Sequence, residues 1–231
     1  MNRYLVPLLL AFITGVDAET VSSTNIQYLY GSFDHVTGDR VDGKMETITL
    51  EHFGLWEYGD NFFFADASNA RYLSGKRHTV YLEWAPRLAL TRITGHPFSF
   101  GPVKETYLSA QLNQGDHYQA TLYGIGADLA IPGFAVFGLN LYHKEDNFDT
   151  VTTQLTLNWL ALGAAGPFSW RFEGFWDQTE DDTLAQPQLL LDLGTLTRLK
   201  PQSIYAGIEH YYYRTDAFTE STPQFLVKWF W

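Results

Sequence analysis

Charged and aromatic side chains recur at every second position in several stretches of the chain. Tyr81 and Glu83, with Arg87 four residues on, share one side of a segment whose other side holds Val80, Leu82, Trp84 and Leu88. Arg171, Glu173, Phe175 and Asp177 alternate with Trp170, Phe172, Gly174 and Trp176. Glu209 and Tyr211 face away from Ala206 and Ile208, Glu51 away from Ile48 and Leu50, and Asp192 away from Leu189 and Leu191; Glu105 and Tyr107 share a side in the same way. Residues of these types can do two things on an inner surface. They can pair with one another and fill the space, because buried charges are paired or costly. They can also hold a passing solute weakly, with aromatic faces stacking on planar groups such as nucleobases and carboxylates meeting ribose hydroxyls. Both readings stay open at this stage, and the twelve residues Glu51, Tyr81, Glu83, Arg87, Glu105, Tyr107, Arg171, Glu173, Phe175, Asp192, Glu209 and Tyr211 are the candidate lining. Catalysis has less to build on: the seven histidines are scattered without metal-ligand spacing, and no serine motif stands out. No catalytic residue, metal or cofactor is assigned, and a rim-located enzyme remains a rival reading.

The elements that must position these residues are strands, because the alternation has a period of two. Outward faces this apolar suit lipid: an arginine at the bilayer midplane costs about 2–4 kcal/mol, so Arg171 must point into a lumen. The end of the chain carries the same signal, with Phe225, Val227, Trp229 and Trp231 on one side and Leu226, Lys228 and Phe230 on the other. An edge strand of a secreted sandwich is the alternative, but aromatic girdles belong to transmembrane barrels. After the first residues, no apolar run approaches the roughly 20 residues of a membrane helix, which leaves a closed barrel as the way to satisfy every backbone group in lipid.

The connections support a barrel. Compact Gly- and Pro-rich ones (54–60, 94–97, 129–133, 162–167, 194–201) alternate with polar, mostly acidic ones (33–44, 66–77, 113–117, 144–149, 178–186, 214–223). Five turns and six loops join about twelve strands, which predicts an all-β, up-and-down antiparallel transmembrane β-barrel over residues 19–231 with both ends periplasmic. Pro86 cannot donate to a ladder, so a bulge or kink is expected there. Residues 1–18 read as a cleaved signal peptide: a basic start, an apolar run and small residues at Val16 and Ala18.

Composition narrows the rest. The 231 residues include no cysteine, which removes disulfide scaffolds and thiolate metal sites, and the net charge of −11 excludes a general nucleic-acid surface.

The run Leu82-Glu83-Trp84-Ala85-Pro86-Arg87, followed by Phe98-Ser99-Phe100-Gly101-Pro102-Val103-Lys104-Glu105-Thr106-Tyr107, resembles the Tsx-type nucleoside-specific channel proteins of bacterial outer membranes. Residues 45–53, Phe64-Ala65-Asp66-Ala67 and Tyr123-Gly124-Ile125-Gly126-Ala127-Asp128 are similar to the family's pattern as well. The resemblance implies a twelve-stranded outer-membrane barrel that passes nucleosides and deoxynucleosides through a narrow lumen. The expected partners are outer-membrane lipid and lipopolysaccharide outside, a nucleoside-like solute inside, and the barrel assembly machinery at the C-terminal Trp231. The alternative is a plugged barrel with a structural or receptor role.

Overall fold

The computed structural model describes residues 22–36, 39–75, 78–197 and 199–231. The expected signal segment, 1–18, lies outside the described residues. Thirteen strands follow in order: β1 (Ser22–Val36), β2 (Asp39–Trp56), β3 (Gly59–Ser68), β4 (Thr79–Ala89), β5 (Val103–Gln114), β6 (Gln119–Leu129), β7 (Val136–Asp146), β8 (Val151–Ala165), β9 (Phe168–Gln178), β10 (Asp182–Ala185), β11 (Gln188–Asp192), β12 (Ile204–Thr215) and β13 (Thr219–Phe230). Two helical turns, α1 (Leu90–Thr94) and α2 (Leu193–Leu196), sit in connections.

Chain neighbours pair antiparallel, β10 with β11 excepted, and β1 also pairs with β13, setting Ile26 opposite Trp229 and Tyr28 opposite Val227. That pairing leaves the sheet without an edge strand, so its backbone groups pair within it apart from short gaps at Pro86 and Pro187. Both β10 and β11 lie between β9 and β12 and keep one register with them. They are two halves of a single crossing strand, interrupted where Pro187 has no N–H to give. The result is a closed twelve-strand antiparallel barrel. The rim where β1 begins and β13 ends, called here the terminal rim, carries five connections, and the loop rim carries six.

The ladders reach further than composition suggests. β1 and β2 run to Val36 and from Asp39, through what reads as a polar loop, and β3 starts at Gly59 and continues to Ser68. Gly and acidic residues mark the rims of a barrel as readily as its loops, because strand ends project beyond the apolar zone. The expected bulge at Pro86 is absent: β3 and β4 hold one register from Gly59 opposite Leu88 to Ser68 opposite Thr79. On the other side, Ala85 and Pro86 drop out of the ladder with β5 while the register on either side of them is unchanged. The missing proline donor is absorbed as a gap in pairing. The bulge in this region falls instead between Val103 and Glu105, where β5 leaves the terminal rim.

The faces follow the pleat. Large apolar side chains such as Ile48, Val80, Ile125, Leu189, Ile208 and Phe225 are exposed on the outside. Polar residues such as Asn25, Gln27, Gln111, Gln224 and Lys228 are buried inside. This inversion of the usual soluble pattern is what a lipid-facing barrel requires. Inward glycines make room on β6 and β7. A side chain at Gly126 would collide with Asn140 and Ser109, and one at Gly138 with Asn158. These glycines, which blur the apolar pattern of their strands, let neighbouring asparagines lie flat against the wall.

Candidate functional site

The lumen is lined in two tiers, because inward residues near the terminal rim differ in charge from those at mid-strand. In the tier near the terminal rim three cations are each held by carboxylates. Arg87 on β4 donates through Nε and Nη2 to both oxygens of Asp60 on β3 at 2.9 and 2.7 Å, and through Nη1 to Asp128 on β6 at 3.0 Å. Its guanidinium lies 4.0 Å from the centre of the Tyr107 ring, and the Tyr107 hydroxyl donates to Asp128 at 2.8 Å. Planar guanidinium, bidentate carboxylate and aromatic face are the geometry for which arginine, and not lysine, is suited.

The other two cations lie across the barrel. Lys228 on β13 places Nζ 2.8 Å from Glu173 on β9, 3.2 Å from Gln188 Oε1 on β11 and 3.4 Å from Glu51 on β2. Arg171 adds a 2.5 Å ion pair to the second oxygen of Glu173, with its guanidinium over the Phe230 ring at 5.1 Å. Glu51 also accepts from Asn25 at 2.8 Å and Gln27 at 3.2 Å.

In the mid-strand tier the balance reverses. Asp66 (β3), Glu83 (β4), Asp177 (β9) and Glu209 (β12) face the lumen, and none of them forms an arginine or lysine ion pair among the described residues. Neutral donors hold them instead. Thr49 donates to Asp66 at 2.5 Å, Tyr81 and Gln111 to Glu83 at 2.5 and 2.9 Å, Thr156 to Asp177 at 2.6 Å, and Gln188 and Gln224 to Glu209 at 2.7 and 2.8 Å. Glu83 and Asp177 lie within electrostatic range of each other, as do Asp66 and Glu209, with Lys144 of β7 near Glu83 and Asp177. Carboxylates contributed by separated strands at one depth attract cations and repel anions.

Aromatic rings accompany these acids. Phe62, Phe64 and Tyr81 form a run with ring centres 6.1 and 6.0 Å apart. Phe175 projects from β9, across the barrel, and like the two phenylalanines is only half-buried. The wall therefore offers flat apolar faces beside hydrogen-bonding carboxylates.

Ten of the twelve candidate residues point into the lumen in these two tiers or beside them; Tyr211 packs edge-on to Phe33 at 5.3 Å in an apolar cluster toward the loop rim. Glu105 and Asp192 have a different task. Glu105 accepts from the N–H groups of Thr91 and Thr106, tying down α1. Asp192 accepts from the Thr195 N–H and hydroxyl and from the Gln202 N–H, capping α2. Both are anchors of turns at the terminal rim, and alternation could not separate that role from lining because the pleat continues to the strand end. Sequence reasoning missed Asp60, Phe62, Phe64 and Asp66. The consecutive aromatics at 62–64 occupy both faces and hide the period, and the acids at 60 and 66 fall in the compact connection 54–60 and the polar connection 66–77 marked by composition.

An edgeless barrel with an apolar exterior and a charged, aromatic lumen is the architecture of an outer-membrane β-barrel of the porin class. The solved structures agree on the fold. A KdgM porin aligns over 89% of this chain and 98% of its own with a TM-score of 0.51 at 10% identity, and a NanC porin over the same shares with a TM-score of 0.52 at 9%. The family model of the nucleoside-specific channel-forming protein Tsx matches residues 27–160, and the chain belongs to that family. "Outer membrane protein OmpK" of Vibrio parahaemolyticus is 30% identical over 141 residues, which cover 57% of this chain and 53% of that protein. The match thus spans about half the length of the curated relative. Fold, family and relatives together make the chain an integral outer-membrane protein.

Proposed function

We propose that the protein is a passive outer-membrane channel for small solutes, with nucleosides and deoxynucleosides as its preferred cargo. The observation that carries this reading is the half-buried aromatic run Phe62–Phe64–Tyr81 beside the mid-strand carboxylates Asp66 and Glu83. A nucleoside is a flat base joined to a hydroxyl-rich sugar. Ring faces stack on the first, and carboxylates accept hydrogen bonds from the second. Such contacts are individually weak, which lets a solute leave as well as enter. The cargo named in the family's description supports the same choice. In this reading the terminal rim, where β1 begins and β13 ends, faces the periplasm.

The test is uptake into proteoliposomes. Adenosine or thymidine should enter faster than a neutral disaccharide through the wild-type protein. Replacing Phe62 and Phe64 with alanine should reduce that preference while leaving disaccharide entry the same or faster. Equal entry of nucleoside and disaccharide through the wild type would reject the nucleoside assignment and leave a general pore.

A further inference from the structure

Among the three cations of the tier near the terminal rim, Lys228 joins the most widely separated strands. Glu51 on β2 and Glu173 on β9 are separated, by way of the seam between β1 and β13, by four intervening strand positions. One ammonium nevertheless contacts both, at 3.4 and 2.8 Å, and adds Gln188 at 3.2 Å. The Lys228 side chain is 1% exposed, so no solute reaches its charge while these contacts hold. Gln27 and Asn25 brace the Glu51 end, and Arg171 braces the Glu173 end. Below and beside this bar Leu29, Leu190, Tyr205 and Leu226 are buried against one another, with Phe230 packed on them, so this part of the lumen is filled. The inward side chains of the opposite wall, Phe62 and Asn158, keep partial solvent access.

We propose that Lys228 is the latch of the lumen: by holding Glu51 to Glu173 it confines passage to the β3–β8 side and sets the narrowest aperture of the channel. The inference rests on the channel reading above. Arg171 cannot take over the task, because it is already engaged with Glu173 from the neighbouring inward position on the same strand and makes no contact with Glu51 among the described hydrogen bonds and ion pairs. Without the ammonium, Glu173 keeps Arg171 but Glu51 loses its cation partner, and no ion pair or hydrogen bond among the described residues then directly ties the two side chains across the lumen.

The experiment is single-channel recording of the full-length protein and of Lys228→Met, with Lys228→Arg as the conservative control. Methionine keeps the volume and removes the charge. The latch predicts that Lys228→Met raises unitary conductance by roughly twofold or more and shifts the reversal potential toward cation preference, since aperture and lining charge govern ion flow. Lys228→Arg should stay near wild type. A wild type that conducts and a Lys228→Met channel with the same conductance and reversal potential would overturn the latch while leaving the channel reading intact. A wild type that conducts nothing would overturn both. If Lys228→Met does not assemble, Glu51→Gln decides, because it weakens one arm of the latch and keeps its shape. Larger currents than wild type support the latch, and unchanged currents overturn it.

Discussion

Arg87 is the residue whose loss should cost most in stability. It satisfies Asp60 and Asp128 together, and Asp60 is almost fully buried. Removing one partner of a buried pair strands the other charge, at about 3–5 kcal/mol. Arg87→Ala should therefore lower the temperature at which the folded barrel converts to its slow-migrating unfolded form on a gel, whereas Arg87→Lys should fall between the two, keeping charge but losing the bidentate fit. A different outcome is expected at Glu83, whose carboxylate is held by neutral donors. Glu83→Gln should leave that temperature near wild type and reduce cation preference in reversal-potential measurements. Much of this lining is legible from alternation alone: Arg171, Glu173, Phe175 and Glu209 point inward as the period of two demands. What alternation cannot supply is depth and partner. It places Glu105 and Asp192 on the inward side without revealing that each spends its oxygens on the backbone of a turn. It also cannot separate cations saturated by carboxylates from carboxylates left to neutral donors, because that distinction depends on pairs 27, 41 and 55 residues apart.

At the level of elements, β13 is where closure is made. Its inward side carries Lys228 and its outward side Phe225 and Trp229, and it pairs with both β12 and β1. The Trp231 ring lies 5.8 Å from that of Trp229 on the lipid side of the terminal rim. An amphipathic indole packed at a tilt of 56° against a neighbour at a strand end is suited to the membrane–water interface. Deleting Trp231 should lower the yield of assembled barrel in outer membranes more than it lowers conductance per assembled channel. Equal reductions in both would show that the residue shapes the lumen instead. The inward glycines predict another effect. Gly138→Val would drive its side chain into Asn158, forcing that asparagine off the wall and into the lumen. Conductance should fall while the barrel still forms. The existence and pairing order of these strands follow from the apolar alternation and the spacing of the connections. Their ends do not, because pairing persists past the apolar zone at 33–36 and 39–44, where composition signals a loop.

At the scale of the whole molecule, the chain folds as a soluble protein turned inside out. Apolar side chains cover its surface, and the buried centre is polar and charged. Closure is legible in the sequence, since a chain this apolar on alternate positions, without an apolar run long enough for a membrane helix, has only an edgeless sheet available in lipid. Two short interruptions, at Pro86 and at Pro187, are accommodated without breaking the register of the neighbouring strands. The lumen then combines a latch near the terminal rim with acids and aromatic rings at mid-depth, an arrangement that should pass small neutral and cationic solutes and hold flat ones briefly. Planar-bilayer recording with adenosine on one side tests this most directly. The account predicts small, discrete openings that adenosine blocks in a concentration-dependent way, with a weaker effect of a sugar at equal concentration. Absence of conductance from correctly folded, heat-modifiable protein would contradict it.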